Sequence, residues 1–263
     1  MLETMPSGEI HSTAIVDPGA EIGADVSIGA YAVIGPNVVI GAGSRIGPHA
    51  VIHCNTFIGE QCAIHQGASL GNDPQDLKYN GEPSELHIGT RTVVREYCTI
   101  NRGTAASGKT EVGNECLLMA YAHVAHDCVL GDHVVIANAV NMGGHVHIGD
   151  WAVVGGMTAI HQFARIGPHA FVGGSSAVRK DVPPYVKASG SPLKLYGLNT
   201  VGLQRRGFSE AVRRELKRAY RILYASDLNI SQALSQARRD LEPLREVEEF
   251  LAFIEGGIRG STV

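Results

Sequence analysis

An aliphatic residue returns at every sixth position from Ile10 through Val16, Ile22 and Ile28 to Ile64 and Leu70. The same phase resumes at Ile88, Val94 and Ile100 after one polar break. After a second break it runs from Val112 through Val124, Ile136 and Ile148 to Val178. A fixed period of this kind marks a repeat architecture, in which each unit buries its apolar face only against its neighbours.

Two residues before each aliphatic stands a small or β-branched side chain, among them Ala20, Val26, Ala32, Cys62, Ala122 and Cys128. Both positions therefore point inward. Glycine often follows the aliphatic, as in Ile22-Gly23 and Ile28-Gly29, where a sharp corner calls either for positive φ or for close backbone approach. Each hexad is one short strand and one corner. Three hexads close a triangular coil of eighteen residues, and stacked coils pair their strands in parallel at about 4.8 Å. The architecture predicted is a mainly β, parallel β-helix. Cys62, Cys98, Cys116 and Cys128 occupy the small inward position and read as core filler; Cys54 falls off that register. With no CxxC pair among the five cysteines, neither a zinc ribbon nor a disulfide framework is indicated.

The period fails at Pro183-Pro184, and the composition then turns helical. Ser209 caps SEAVRRELKRAYRILYASD, in which Val212, Leu216, Ala219 and Leu223 recur at helical spacing. Further helices fit ISQALSQARRDL and, opened by Pro243, PLREVEEFLAFIEG. The expected organisation is a β-helix over residues 1–190 and a small helical domain over 191–263. Insertions interrupt the coils at 71–87 and 101–111. Both leave the core phase unchanged, so both are excursions from a rigid scaffold, where function commonly resides.

The net charge of −4 gives no global reason to bind nucleic acid or an anionic membrane. No stretch approaches the roughly 18 apolar residues of a membrane span, and the opening residues lack the pattern of a secretory leader. A cytoplasmic protein is expected.

None of the twelve histidines falls on an inward position. His11, His49, His133 and His169 read as ordinary surface residues. His126, His145 and His161 come within two residues of one corner in successive coils and are expected to stack in a ladder on rungs about 5 Å apart. Such a ladder allows two chemistries: a neutral imidazole taking a proton from a hydroxyl, or several imidazoles binding a metal. Asp127 follows His126 directly, but alternate residues of a strand diverge, so the spacing leaves a contact between them open. Asp73, Asp76 and Lys78 in the first insertion are further candidates.

The segments NDPQDLKY, AHVAHDC, GGHVHIGD, GGMTAIHQF, DVPPY and NTVGLQRRGFS together resemble the UDP-N-acetylglucosamine O-acyltransferase family of lipid A biosynthesis, over nearly the whole chain. The resemblance implies the left-handed form of β-helix. It also implies transfer of a 3-hydroxyacyl group, a 3-hydroxymyristoyl chain by expectation, from acyl carrier protein to the glucosamine 3-hydroxyl of UDP-N-acetylglucosamine, and the sequence leaves open the 3-amine of the 3-amino analogue as the acceptor instead. No metal or redox cofactor is implied, and the assembly implied is a homotrimer with active sites between subunits.

Carried over by motif, His126 matches the general base and Gly144 the backbone donor to the oxyanion. His123, His145, His161 and Gln162 match sugar and nucleotide contacts, with Asp76 and Lys78 in the substrate-binding loop. Asn199 and Arg205 match residues at the nucleotide end, while Val201 replaces the family's usual glutamate. Gly174 matches the position limiting the acyl groove. From Lys194 to Arg221 there are eight Lys or Arg against Glu210 and Glu215, and Arg213, Arg214, Lys217 and Arg218 are a candidate docking face for an acidic carrier protein. Two other readings carry their own signatures: a zinc lyase of the γ-carbonic anhydrase type on His123, His126 and His145, and an inactive solenoid. The zinc reading leaves NDPQDLKY and QRRGFS without a purpose, and an inactive solenoid would fold intact without turnover.

Overall fold

The computed structural model describes residues 8–257 together with Gly260 and Thr262; residues 1–7, which begin the stretch read for a secretory leader, lie outside the described residues. Short strands, most of two residues, form three parallel sheets whose members recur one coil apart, so that Ile15 pairs with Val33 and Val33 with Val51. This is the left-handed parallel β-helix with a small helical end. Strands alternate their side chains, so in a strand this short one residue faces in and its neighbour faces out. The inward aliphatics from Ile28 to Val178 are at most 4% exposed, and the small inward residues fill the axis beside them. Only the first coil departs from this: Ile10 is 47% exposed, with no coil beneath it among the described residues.

The corners explain the glycines. Gly23 and Gly29 are not left-handed; a Cβ on Gly29 would stand 2.6 Å from the backbone nitrogen of Pro48 in the next coil. Close approach is therefore their reason. Positive φ falls two residues later and is carried by bulky and polar residues alike, including Tyr31, Tyr97, Trp151 and Phe163. Regular stacking of the coils holds these residues in a region that side chains otherwise seldom visit.

All five cysteines are free thiols. Burial pushes Cys98 and Cys116 up to about 11 and Cys128 up to about 12. Cys54, off the inward register, is half-buried.

The top of the stack ends in a hairpin. Val186–Ser189 continues one sheet in parallel, and Lys194–Leu198 then turns back antiparallel to it. Four helices follow: α1 (Thr200–Arg205), α2 (Glu210–Tyr224), α3 (Ile230–Asp240) and α4 (Arg245–Glu255). Ser209 caps α2 as its sequence predicts, accepting from the Val212 N–H. Leu216, Ala219 and Leu223 are buried where α2 packs on α3 and α4, with Val212 half-buried beside them. Pro243 precedes α4 by two residues instead of opening it. The helical end is tied to the solenoid by Arg165, which donates to the buried Asp181 and to the Phe253 carbonyl, and by the buried Tyr185 hydroxyl, which donates to Glu249. No helix is long and apolar enough to cross a membrane among the described residues.

Candidate active site

One edge of the prism gathers the chemistry. The strand His123–Val124 turns through residues 125–128 into Val129–Leu130. In the two coils beneath, the strands paired with these are the ones that flank the insertions: Ser69–Asn72 with Glu85–Ile88, and Thr99–Asn101 with Lys109–Val112. Both insertions therefore leave at the same edge as His126. The strands run into their ends, leaving 73–84 and 102–108 as the loops proper.

His126 and Asp127 are in contact. The Asp127 Oδ2 accepts from the His126 Nδ1 at 2.7 Å. Divergence of neighbours holds for a strand, but Asp127 occupies a left-handed corner at φ 59°, which swings its side chain back beside the imidazole. The carboxylate is 3% exposed and fully committed: it accepts from the Thr104 N–H at 3.0 Å, from the Thr104 hydroxyl at 2.8 Å and from the Ser107 hydroxyl. Its own N–H donates to the Thr110 hydroxyl at 2.8 Å. Burial alone would raise this carboxyl, but the hydrogen bonds from Ser107, His126 and Thr104 outweigh it and bring it down to about 2. An ionised Asp127 is an acceptor only, so His126 carries its proton on Nδ1 and presents Nε2 with a free lone pair. Among the described residues that Nε2 makes no hydrogen bond. The His126 side chain is 12% exposed, less open than its outward position in the hexad predicts.

Gly144 lies one coil above and faces the ring: a Cβ there would stand 2.4 Å from His126 Cε1 and 2.7 Å from Nε2. The Gly144 N–H donates to no backbone carbonyl among the described residues. His145 stands directly above Asp127, with its ring edge-on to His126 at 5.2 Å and its Nε2 3.6 Å from Asp127 Oδ2. It stacks on Phe163 at 4.5 Å.

The predicted ladder is thus two columns, His126–Gly144–Gln162 and Asp127–His145–Phe163. His161 stands in neither; it is exposed and its Nδ1 lies 3.0 Å from the Gln162 carbonyl. His123 belongs to the adjoining strand, with Nδ1 2.7 Å from the Thr99 hydroxyl, and burial and then His126 depress its basicity, favouring the neutral ring. Thr99, Thr104, Ser107 and Thr110 escape sequence reading, since isolated hydroxyl residues carry no signal until the fold brings them to a charged group.

The two loops are clamped to each other. Arg102, 8% exposed, donates to the Gly71 carbonyl, to Asp73 and to the Tyr79 hydroxyl, and Asn101 donates to the Asp73 carbonyl at 2.7 Å. Asp73 is thereby a structural partner. Asp76 accepts from the Lys78 N–H at 3.0 Å in a turn and makes no contact with His126 among the described residues. At the helical end, Asn199 caps α1: its carbonyl oxygen accepts from the Gly202 N–H and its amide donates to the His169 carbonyl. Arg205 is exposed, and Val201 is 60% exposed. Gly174 is on a different edge of the prism from His126; a Cβ there would meet the Gly156 carbonyl oxygen at 3.1 Å. On the basic face Arg213 donates to the Phe208 carbonyl, Arg218 donates to the buried Glu215 at 2.7 Å and Arg214 lies 3.8 Å from it; Arg214, Lys217 and Arg218 are all exposed.

His126, Asp127 and His145 offer ligand atoms within 4.8 Å of one another, the group most suited to a divalent ion among the described residues. His123, required by the zinc reading, is not in it. Two ligands of a tetrahedral zinc at about 2.0–2.1 Å lie about 3.3 Å apart, whereas His126 Nδ1 and Asp127 Oδ2 are at hydrogen-bond distance. The pair is built around a proton.

Known proteins resemble this chain in sequence and fold. Residues 181–262 match the family described as Udp N-acetylglucosamine O-acyltransferase, domain 2, and residues 19–54 and 109–144 match the bacterial transferase hexapeptide repeats. An acyl-(acyl-carrier-protein)-UDP-N-acetylglucosamine O-acyltransferase of Thiobacillus denitrificans is 48% identical over 252 residues, covering 95% of this chain and 98% of that protein. The protein of the same name from Halorhodospira halophila is 46% identical at the same coverage. Among solved structures, a UDP-N-acetylglucosamine acyltransferase from Bacteroides fragilis superposes with a TM-score of 0.96 at 40% identity, covering 97% of this chain and 100% of that one. That from Moraxella catarrhalis gives 0.94 at 43% identity, covering 97% and 99%. With near-complete coverage at these identities, the chain belongs to the UDP-N-acetylglucosamine O-acyltransferase family.

Proposed function

We propose that this chain moves a 3-hydroxyacyl group, 3-hydroxymyristoyl by the open Gly174, from acyl carrier protein to the glucosamine 3-hydroxyl of UDP-N-acetylglucosamine, with His126 as general base. The His126–Asp127 pair beneath Gly144 carries the reading. His126 Nε2 takes the proton of the 3-hydroxyl while that oxygen attacks the thioester carbonyl. Charge gathers on the carbonyl oxygen, for which the Gly144 N–H is a fixed donor with no side chain in the way. The C–S bond then breaks, and the imidazolium returns its proton to the departing thiolate. Asp127 stabilises the imidazolium while it exists and keeps Nε2 as the reacting nitrogen.

His123, His145, His161 and Gln162 are assigned to gripping the sugar nucleotide, with Asp76 and Lys78 contributing from the first loop. Arg205 is assigned to the diphosphate, which suits paired guanidinium donors. Asn199, whose side-chain oxygen caps α1 and whose amide donates to the His169 carbonyl, acts by holding that helix end in position. A homotrimer accounts for the separation of Gly174 from His126, because a neighbour's edge can bring a groove floor to this chain's base. The exposed Tyr31, Tyr97, Tyr121 and Met157 supply apolar surface for such packing. Free thiols throughout fit a reducing cytoplasm.

The test is turnover of purified protein with 3-hydroxyacyl carrier-protein thioesters and both acceptors, the ordinary sugar nucleotide and its 3-amino analogue. His126→Ala should lower turnover by about 10²–10⁴, the usual worth of a positioned base. Near-normal turnover of that variant with the hydroxyl acceptor would remove His126 from the chemistry.

A further inference from the structure

The loop 102–108 makes no contact with His126, yet three of the hydrogen bonds that Asp127 accepts come from it. From the convergence of the Thr104 N–H, the Thr104 hydroxyl and the Ser107 hydroxyl on one buried carboxylate, we infer that Thr104 and Ser107 are positioning residues, which hold Asp127 in the orientation that accepts the His126 Nδ1 proton. The inference rests on His126 being the base.

The geometry makes the loop necessary. Asp127 begins at a corner whose backbone direction is fixed by the coil, and Thr110 anchors its N–H from the strand beneath. Rotation of the carboxylate about its own side-chain bonds is left free by that anchor. Two hydroxyls and one N–H remove the freedom: Oδ1 takes the Thr104 N–H and the Ser107 hydroxyl, and Oδ2 takes the Thr104 hydroxyl and His126. The Ser107 hydroxyl also lies 2.9 Å from the Lys109 carbonyl, so its single proton is shared between that carbonyl and Asp127. The Thr104 hydroxyl accepts from the Ala106 N–H at 3.2 Å, which leaves its own proton directed at Asp127.

The other side of the loop is fixed as firmly. Arg102 and Asn101 join its start to the first insertion, and the Ala105 N–H donates to Glu82 at 3.3 Å. One short segment thus touches the substrate-binding loop with one side and the partner of the base with the other. Charge-assisted hydrogen bonds inside a poorly solvated site are stronger than their counterparts in water, and a network of them orients its members as a unit.

The experiment compares Thr104→Val with Ser107→Ala, the pair combined, Thr104→Ser and His126→Ala, in full-length protein with the carrier-protein thioester. The combined variant should lose about 10-fold to 100-fold in kcat, the usual cost of removing partners that hold a working side chain. Its KM for the sugar nucleotide should stay within about 2-fold, since binding groups are untouched. Thr104→Ser, which keeps the hydroxyl, should recover most of the loss. Ser107 is exposed, so Ser107→Ala folds irrespective of how Thr104→Val behaves, and it should show a smaller fall in kcat with the same unchanged KM. Wild-type kcat in both Ser107→Ala and the combined variant, with His126→Ala inactive, would overturn the inference and leave the base in place. An active His126→Ala would instead remove the reading on which the inference stands. A rise in KM with kcat unchanged, or no recovery in Thr104→Ser, would make the loop a binding or purely structural element and overturn the inference too.

Discussion

Replacing Gly144 by alanine should disable the base proposed at His126 while leaving the fold and the proposed Gly144 oxyanion donor intact. The added methyl would stand 2.4 Å from Cε1, 2.7 Å from Nε2 and 3.0 Å from Nδ1 of His126. Non-bonded carbons rest about 3.5–4.0 Å apart, so the imidazole must retreat by about 1 Å. Its bond to Asp127 is 2.7 Å long, and lengthening by that amount takes it past the roughly 3.5 Å at which a hydrogen bond is lost. Displacement of about 1 Å at a reacting group costs about 10²-fold in rate, or about 2.7 kcal/mol at 1.36 kcal/mol per tenfold. The backbone at Gly144 is not left-handed, so alanine is compatible there, and the shift in melting temperature should be small beside the loss in kcat.

A double-mutant cycle isolates the cause. In a His126→Ala background the new methyl has no ring to displace, so Gly144→Ala should change turnover little further. The assay is release of free carrier-protein thiol under saturating sugar nucleotide. Wild-type kcat in Gly144→Ala would refute the close packing of ring and glycine in the working enzyme. Equal losses from Gly144→Ala in both backgrounds would move its effect to the oxyanion donor.

Acid should unfold the site in a defined window. With Asp127 held at about 2 by Ser107, His126 and Thr104 against the pull of burial, and an unfolded aspartate near 3.9, its contribution is complete above about pH 4 and lost as pH falls toward about 2. The amount is about 2 kcal/mol; Asp127→Asn should lose that pH dependence, and parallel acid unfolding curves for the two proteins would contradict it. On the basic face, Arg214→Glu combined with Lys217→Glu should lower kcat/KM for the carrier-protein thioester much more than kcat. Arg213 and Arg218 are less suitable because they donate hydrogen bonds to Phe208 and the buried Glu215, whereas Arg214 approaches Glu215 only to 3.8 Å, so the Arg214→Glu protein is compared with Lys217→Glu alone. Added salt should bring wild type toward the variant, since exposed charges are screened over about 8–10 Å at ordinary ionic strength, and a short pantetheine thioester should be indifferent to both; equal responses of the two thioesters would place docking elsewhere.

The solenoid was legible because its period is a direct image of its geometry. Two inward residues in six dictate the core, and Cys62, Cys98, Cys116 and Cys128 could be assigned to it from position alone. α2 was legible for the same reason, with a capping serine and apolar residues at helical spacing. α1 was not: six residues containing Gly202 are too short for a periodic signal, and its existence depends on the Asn199 cap and the turn out of Lys194–Leu198. The terminal hairpin was missed because its strands no longer keep the hexad.

At the site, the limit lay in the step from position to direction. Hexad counting puts His126, Asp127 and His145 at one edge, and the phase of the two insertions puts both loops there as well. Counting cannot say where a side chain points when its backbone leaves the strand. Asp127 at φ 59° is not an alternating neighbour of His126 but a returning one. The same conformation recurs at His145 and Phe163, which is why these two rings stack on each other while Gly144 and Gln162 follow His126. A coil built of flat strands alone would send consecutive side chains to opposite faces and could not make a dyad from adjacent residues. The left-handed corner converts adjacency into contact, and the loop that rises from the coil beneath supplies the hydroxyls that keep the contact aligned. The His126–Asp127 pair is therefore assembled from one dipeptide and the edge it turns on.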